Sequence, residues 1–207
     1  MPRNQQQNEQ ARDARKEQIR LEALRQFATR GLFATRIQDI AAGVGMAQGL
    51  MYHYYPSKDA IFVDLIEDAL NKTNEAARAV RDMQASAREK ILFSLRELVK
   101  TIETSERFAQ TCRLIAQATN SSAIPEQAQK LVEEKRDIPY QLMAEVMEAG
   151  QREGSVVPGD PRKLATLFWA SVNGLSIYRA SREDAGSMPD YRLIASMFLK
   201  EKDFLKE

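Results

Sequence analysis

The stretch Phe27–Ile61, FATRGLFATRIQDIAAGVGMAQGLMYHYYPSKDAI, reads as the end of one helix, a second helix, a tight turn, a short third helix and the start of a fourth. Gly31 is a left-handed stop for the first helix. Thr35-Arg36-Ile37-Gln38 has the form of a capping box opening the second, with Ile37, Ile40 and Ala41 inward at helical spacing. Gly45 interrupts, and a short helix is expected from about Gln48 to Tyr54. Pro56-Ser57-Lys58 punctuates again, with Ser57 as N-cap of a helix reaching about Val80. Two helices joined by a glycine-containing turn, the second able to enter a major groove, form a helix-turn-helix. Ala47-Gln48-Gly49 opens that second helix with small residues. Gly49 costs about 1 kcal/mol relative to alanine inside a helix, which makes sense where a side chain would collide with DNA. A loose turn is the plainer reading of the same letters.

Towards the N-terminus, residues 1–11 are Gln/Asn-rich, have nothing to bury and are expected as a flexible arm. The first helix then runs from about Arg12 to Arg30 on Ile19, Leu21, Ala23, Leu24 and Phe27. Towards the C-terminus the chain is helical throughout, with no convincing alternating strand. Ser86-Ala87-Arg88-Glu89 is a capping box before Leu92, Leu95, Leu98, Val99 and Ile102, and Ser105 opens the next helix with Phe108, Cys112 and Ile115. Pro125 starts a long helix through Ala149, kinked where Pro139 frees the carbonyl of Lys135. Asp160-Pro161 is an N-cap followed by proline at the first helical position. The helix to about Ser181 is apolar round much of its circumference, which calls for burial on more than one side. A last helix is expected from Asp190, with Tyr191, Ile194, Met197 and Phe198. The fold class is all-α: a helix-turn-helix head over 12–60, a linking helix to about 80, and a larger helical domain over 81–207.

The head resembles the TetR family of bacterial transcriptional repressors. That family's pattern has a glycine after the first helix, a threonine opening the second, then D-I-A, a Gly-containing turn, G-x-L-Y-x-Y-F and S-K-E. The chain follows it without gaps at Gly31, Thr35, Asp39-Ile40-Ala41, Gly45, Gly49, Met51-Tyr52, Tyr54-Tyr55 and Ser57-Lys58-Asp59. The match covers about residues 19–65; the remainder agrees only in size and helix pattern. Ala47 stands where a capping serine is usual, Met46 and Met51 replace valine and leucine, and Leu50 replaces a common base-contacting threonine. These departures leave the binding mode in place and point to an unusual operator.

Chemistry assigns roles to these positions. Gln48 can pair with adenine N6/N7, and Leu50 can touch a thymine methyl. Tyr52 and Tyr54 match positions that meet DNA backbone or bases, and His53 can donate to phosphate. Lys58, in the first turn of its helix, suits a phosphate. Thr35 and Arg36 can clamp a phosphate, and Gln38 either reads a base or caps its helix. Solvated surface residues and core packing are the plainer readings.

The resemblance implies a homodimer through the last two large helices, double-stranded DNA as a palindromic operator, and release by a small-molecule effector. Phe93, Phe108, Cys112, Tyr140, Met143, Met147, Trp169 and Asn173 are the candidates for an adaptable apolar ligand pocket; taken singly, each is also an ordinary core residue. No cofactor and no metal are expected. One histidine and one cysteine, 59 positions apart, make a Cys–His dyad improbable, and neither a P-loop nor GxSxG is present, so the expectation is not an enzyme. Alternatives are an architectural DNA binder and a helical adaptor.

Composition agrees. Hydrophobic residues make up 43%, enough for a core. No apolar run approaches the roughly 20 residues of a membrane span. The polar N-terminus lacks the apolar centre of a signal peptide and the single Cys112 allows no internal disulfide, so a cytoplasmic location is expected. Net charge is +1, but residues 1–60 hold nine Lys/Arg and six Asp/Glu, a mildly basic head on a mildly acidic body.

Overall fold

The computed structural model describes residues 2–181 and 186–200. The elements are α1 (Pro2–Ala34), α2 (Ile37–Gly43), α3 (Gln48–Met51), α4 (Lys58–Asp82), α5 (Ala87–Thr104), α6 (Glu106–Asn120), α7 (Glu126–Lys135), α8 (Ile138–Glu153), α9 (Pro161–Ala180) and α10 (Tyr191–Ala195). Among the described residues the one departure from an all-α fold is an antiparallel bridge between Val156 and Leu199. Val157 N–H donates to the Phe198 carbonyl at 2.8 Å and Lys200 N–H to that of Ser155 at 2.9 Å. No helix among the described residues is long and apolar enough to cross a membrane.

The chain divides into two compact units, one formed by the residues up to Ala69 with Leu114–Val132, the other by Leu70–Arg113 with the residues from Glu133 onward. The division passes through α4, α6 and α7 rather than between helices.

In the first unit α1 begins at Pro2, well before the expected Arg12. Gln, Glu, Arg and Ala are good helix formers, and nothing in the segment expected as an arm breaks the helix. Burial starts at Ile19 and recurs at Ala23, Leu24, Phe27 and Ala28. Gly31 interrupts α1 at φ 80°, a left-handed value that only glycine takes cheaply. The expected Thr35–Gln38 capping box does not form. Arg36 is the N-cap of α2 and its N–H is met by the Asp39 carboxylate at 3.4 Å, while buried Thr35 donates its hydroxyl to the Gly31 carbonyl at 2.8 Å. Gly45, at φ 65°, turns the chain toward α3. The short helix ends at Met51, not Tyr54, and continues as turns through His53 and Tyr54. Ser57 Oγ accepts from Ala60 N–H at 3.1 Å, as its expected N-cap role requires. Ile40, Met51, Ile61, Phe62 and Ile66 are almost fully buried, and Phe27 meets Phe62 edge-on at 5.6 Å. Each such side chain contributes roughly 1.5–3 kcal/mol of transfer free energy.

In the second unit α5, α8, α9 and α10 surround one core that includes Ile91, Leu95, Met147, Phe168 and Phe198. Ser86 and Glu89 form the expected capping box: Ser86 Oγ accepts from Glu89 N–H at 3.3 Å and the Glu89 carboxylate accepts from Ser86 N–H at 2.8 Å. Ser105 Oγ accepts from Phe108 N–H at 3.2 Å, and Asp160 accepts from Arg162 N–H at 2.9 Å ahead of Pro161. The expected long helix over 125–149 is two helices. Pro139 lies in the first turn of α8, where its missing N–H costs nothing, so the proline starts a new helix rather than kinking an old one. The Lys135 carbonyl at the end of α7 accepts from Asn74 Nδ2 at 3.3 Å, and Lys135 Nζ donates to Asn71 Oδ1 at 2.8 Å. The last helix is short: α10, capped by Asp190, ends at Ala195, and the Val156–Leu199 bridge takes over.

Candidate nucleic-acid interface

The recognition segment is held by its inward residues and shows the rest to solvent. Met51 is fully buried, while Ala47, Gly49, Leu50, Tyr52 and His53 are exposed and Gln48 and Tyr54 are half-buried. Leu50 and Tyr52 are each 51% exposed, so neither the thymine-methyl role of Leu50 nor the contact role of Tyr52 competes with core packing. A Cβ placed on Gly49 would meet nothing within 4 Å. The chain's own packing does not demand glycine there. Gly43 is different: its Cβ would lie 2.3 Å from Glu22 Oε1, so a side chain there would have to displace the Glu22 carboxylate from its place beside Arg25 and Gln26.

The neighbouring candidates separate by environment. Arg36 and Gln38 are exposed at the start of α2. With Asp39 doing the capping, Gln38 keeps its amide for another partner. Thr35 is fully buried with its hydroxyl committed to Gly31, which removes it from the exposed surface. Lys58 Nζ donates to the carbonyls of Leu32 at 2.7 Å, Thr35 at 2.9 Å and Phe33 at 3.4 Å. Its three N–H donors close the end of α1 instead of pointing outward.

A supporting network joins residues far apart in the sequence. Arg20 of α1 reaches two carboxylates of α4, Asp64 at 2.9 Å and Asp68 at 2.8 Å. The Tyr55 hydroxyl donates to the same Asp64 carboxylate. Burial and that carboxylate push the Tyr55 phenol well above its ordinary value, so it remains a donor. Lys16 completes the cluster, 5.1 Å over the Tyr55 ring. The residue that leaves the recognition segment is thus tied to α4, and α4 to α1. Only the buried, motif-placed tyrosine could have hinted at this; a charge pair 44 positions apart leaves no local signature.

The ligand candidates all lie in the second unit. Tyr140 and Trp169 are 6.0 Å apart, Trp169 Nε1 donates to the Pro139 carbonyl at 3.0 Å, and Asn173 Nδ2 reaches the Tyr140 hydroxyl at 3.5 Å. Burial pushes the Tyr140 phenol up, and burial pushes the Cys112 thiol up beside Ser176. Phe108 packs against the core, and Met143 and Met147 lie inside it. Phe93 does not join them. It is 37% exposed, with the Arg96 guanidinium 5.7 Å over its ring, because it falls off the Ile91–Leu95–Val99 face. Among the described residues no group of three or more His, Cys, Asp or Glu could hold a metal ion.

Residues 19–65, the segment with this geometry, match the family model of bacterial regulatory proteins of the tetR family. This head is that of the TetR family of transcriptional regulators. Relatives agree along most of its length. It is 26% identical to the HTH-type transcriptional repressor KstR2 of Mycolicibacterium smegmatis, over 77% of this chain and 78% of the relative. The structure of the ketosteroid transcriptional regulator KstR2 of Mycobacterium tuberculosis superposes with a TM-score of 0.73 at 20% identity, covering 91% of this chain and 96% of that one. AibR, solved in complex with isovaleryl coenzyme A and operator DNA, superposes with a TM-score of 0.70 at 18% identity, covering 88% and 95%. The TetR-type fold therefore extends beyond the matched head.

Proposed function

We propose that this TetR-family protein is a ligand-responsive repressor that binds a palindromic operator as a homodimer and is released by a small apolar or aromatic effector. The observation that carries the reading is the recognition segment, anchored by buried Met51 while Gln48, Gly49, Leu50, Tyr52 and His53 face outward. Arg36 and Gln38 extend that surface.

Dimerisation is supported by α9. Leu164, Ala165, Phe168 and Val172 are buried in the chain's own core, but Leu167, Ile177 and Tyr178 remain 48%, 58% and 42% exposed. A second copy covers such a face and brings two heads to successive turns of one groove, about 34–36 Å apart. Effector binding is supported by the half-buried Tyr140, Trp169 and Cys112 with the adjoining Asn173, which offer aromatic surface beside a few polar atoms. Of the structural relatives, AibR shows an acyl-coenzyme A thioester and operator DNA on one such fold. Release follows if the effector favours a conformation whose two heads no longer match the operator.

Selection of binding sites from random DNA with the purified protein tests the reading. Enrichment of one inverted repeat is the expected result. Broad binding without a consensus would mark an architectural protein, and no salt-sensitive binding an adaptor; either overturns it.

A further inference from the structure

The stretch Gln7–Gln18 of α1 makes no contribution to the core. From Gln7 to Gln18 no residue is buried, and burial begins only at Ile19. The helix from Pro2 to Gln18 nevertheless continues for roughly 25 Å at 1.5 Å per residue. Against this stretch lies an open cleft lined by Asn8, Ala11, Arg12 and Arg15 on one side and by His53 and Tyr54, at the close of the recognition segment, on the other.

The four helical residues fall at the 3–4 spacing that places them on one face. Every polar group lining the cleft is a hydrogen-bond donor or can act as one: two guanidiniums, an imidazole, a phenol and a carboxamide. Among the described residues no carboxylate lines it. The nearest acids in sequence, Glu9 and Asp13, lie roughly 110° and 150° round the helix from the centre of this face. Lys16 is turned away toward Asp64 and the Tyr55 ring. Arg15 donates one N–H to Gln18 at 2.9 Å, which leaves the rest of its fork unused by that bond. Two exposed guanidiniums, not opposed by acid and beside the segment that enters the groove, match an anionic phosphodiester.

Resting on the operator-binding reading above, we propose that this cleft holds a backbone phosphate of the operator just outside the bases read by α3, with Arg12 and Arg15 as the anchoring cations. The contact carries no sequence information and adds affinity and register. Ala11, the small residue of the lining, leaves room for the strand to approach.

The test compares the full-length protein with its Arg12→Gln/Arg15→Gln double variant on the selected operator, between 50 and 200 mM salt. Exposed surface changes of this kind leave the fold intact, which the far-UV spectrum and melting temperature check. Loss of two phosphate contacts lowers the slope of log K against log salt by about 1.8 and reduces the affinity lost over this range by roughly tenfold. Base preference stays the same, and ethylation interference loses its signal at phosphates flanking the half-site. An unchanged slope and interference pattern, while the wild type binds its operator with steep salt dependence, overturns the proposal and leaves the operator reading standing. A wild type with no operator is the separate failure of that reading. Inorganic phosphate is added at constant ionic strength as the second arm. Competition seen in the wild type but not in the variant, with unchanged slopes, assigns the cleft to free anions and also overturns the proposal.

Discussion

The ammonium of Lys58 lies 2.9 Å from the carbonyl of Thr35 and 2.7 Å from that of Leu32, so a side chain from the start of α4 completes the end of α1. Carbonyls after Gly31 have no helical continuation to donate to them, and the ammonium supplies what is missing. Replacing Lys58 by Met keeps the aliphatic stem and removes the donors. The expected loss of stability is about 1.5–3 kcal/mol, the range for hydrogen bonds to a charged group, read by urea unfolding. If the ammonium serves α1 in this way, the salt slope of operator binding stays nearly constant. A drop in that slope with unchanged stability would return Lys58 to a phosphate.

Gly49 separates folding from binding in the opposite sense. Its Cβ would meet only open space, so Gly49→Ala gains helix propensity and should stabilise the chain by up to about 1 kcal/mol. Operator affinity is expected to fall by tenfold or more as the methyl group meets DNA. Thermal melts and fluorescence anisotropy on the selected operator give the two numbers, and equal operator affinity in both proteins would mean that DNA does not approach this position.

The Glu22 carboxyl is held below its ordinary range, first by its hydrogen bonds with Arg25, against the opposing effect of burial, and then by Gln26. A carboxyl depressed in the folded state stabilises above its unfolded value, near about 4.3, and that stability is lost as pH falls through the lower folded value. Glu22→Gln is therefore less stable than wild type at neutral pH, and the gap closes on acidification below pH of about 4. Unfolding curves at pH 7 and pH 3 check this; a gap that persists in acid would mean that the loss is steric, against Gly43.

Ile177, 58% exposed on α9, is the most open of its large hydrophobic side chains. An Asp in its place scarcely disturbs a single chain but places a charge in the proposed two-fold interface. Self-association should weaken by tenfold or more, about 1.4 kcal/mol, in sedimentation equilibrium. Operator affinity should fall with it, since half-sites are then bound singly.

Features set by neighbours in sequence were legible beforehand. Ser57, Ser86 with Glu89, and Asp160 before Pro161 cap their helices as the local spelling suggests. The head was legible because glycines at two turns and apolar spacing agree with the TetR pattern that residues 19–65 resemble. Thr35 misled because two N-caps compete one residue apart: its hydroxyl had a second acceptor at Gly31, and Asp39 could serve Arg36. Pro139 misled because a kink and a fresh start share one signal, and what separates them is the Asn74 amide at Lys135, 61 positions away. Phe93 was drawn into the pocket by its chemistry, although its register on α5 lies off the buried face. Tyr55 and Arg20 show the larger gap, since long-range ion pairs depend on the finished packing.

The Arg20 link to Asp64 and Asp68, with Tyr55 on the same carboxylate, makes the opening turns of α4 part of the reading head itself. The head then behaves as a stiff pointer rather than a hinge. A signal need not loosen α3 or reshape its side chains; tilting the start of α4 by a few degrees would swing Gln48 and Tyr52 together, with their mutual spacing preserved. Affinity would change while base preference stayed fixed, so an induced protein should keep the consensus of the uninduced one and bind all its variants more weakly in proportion.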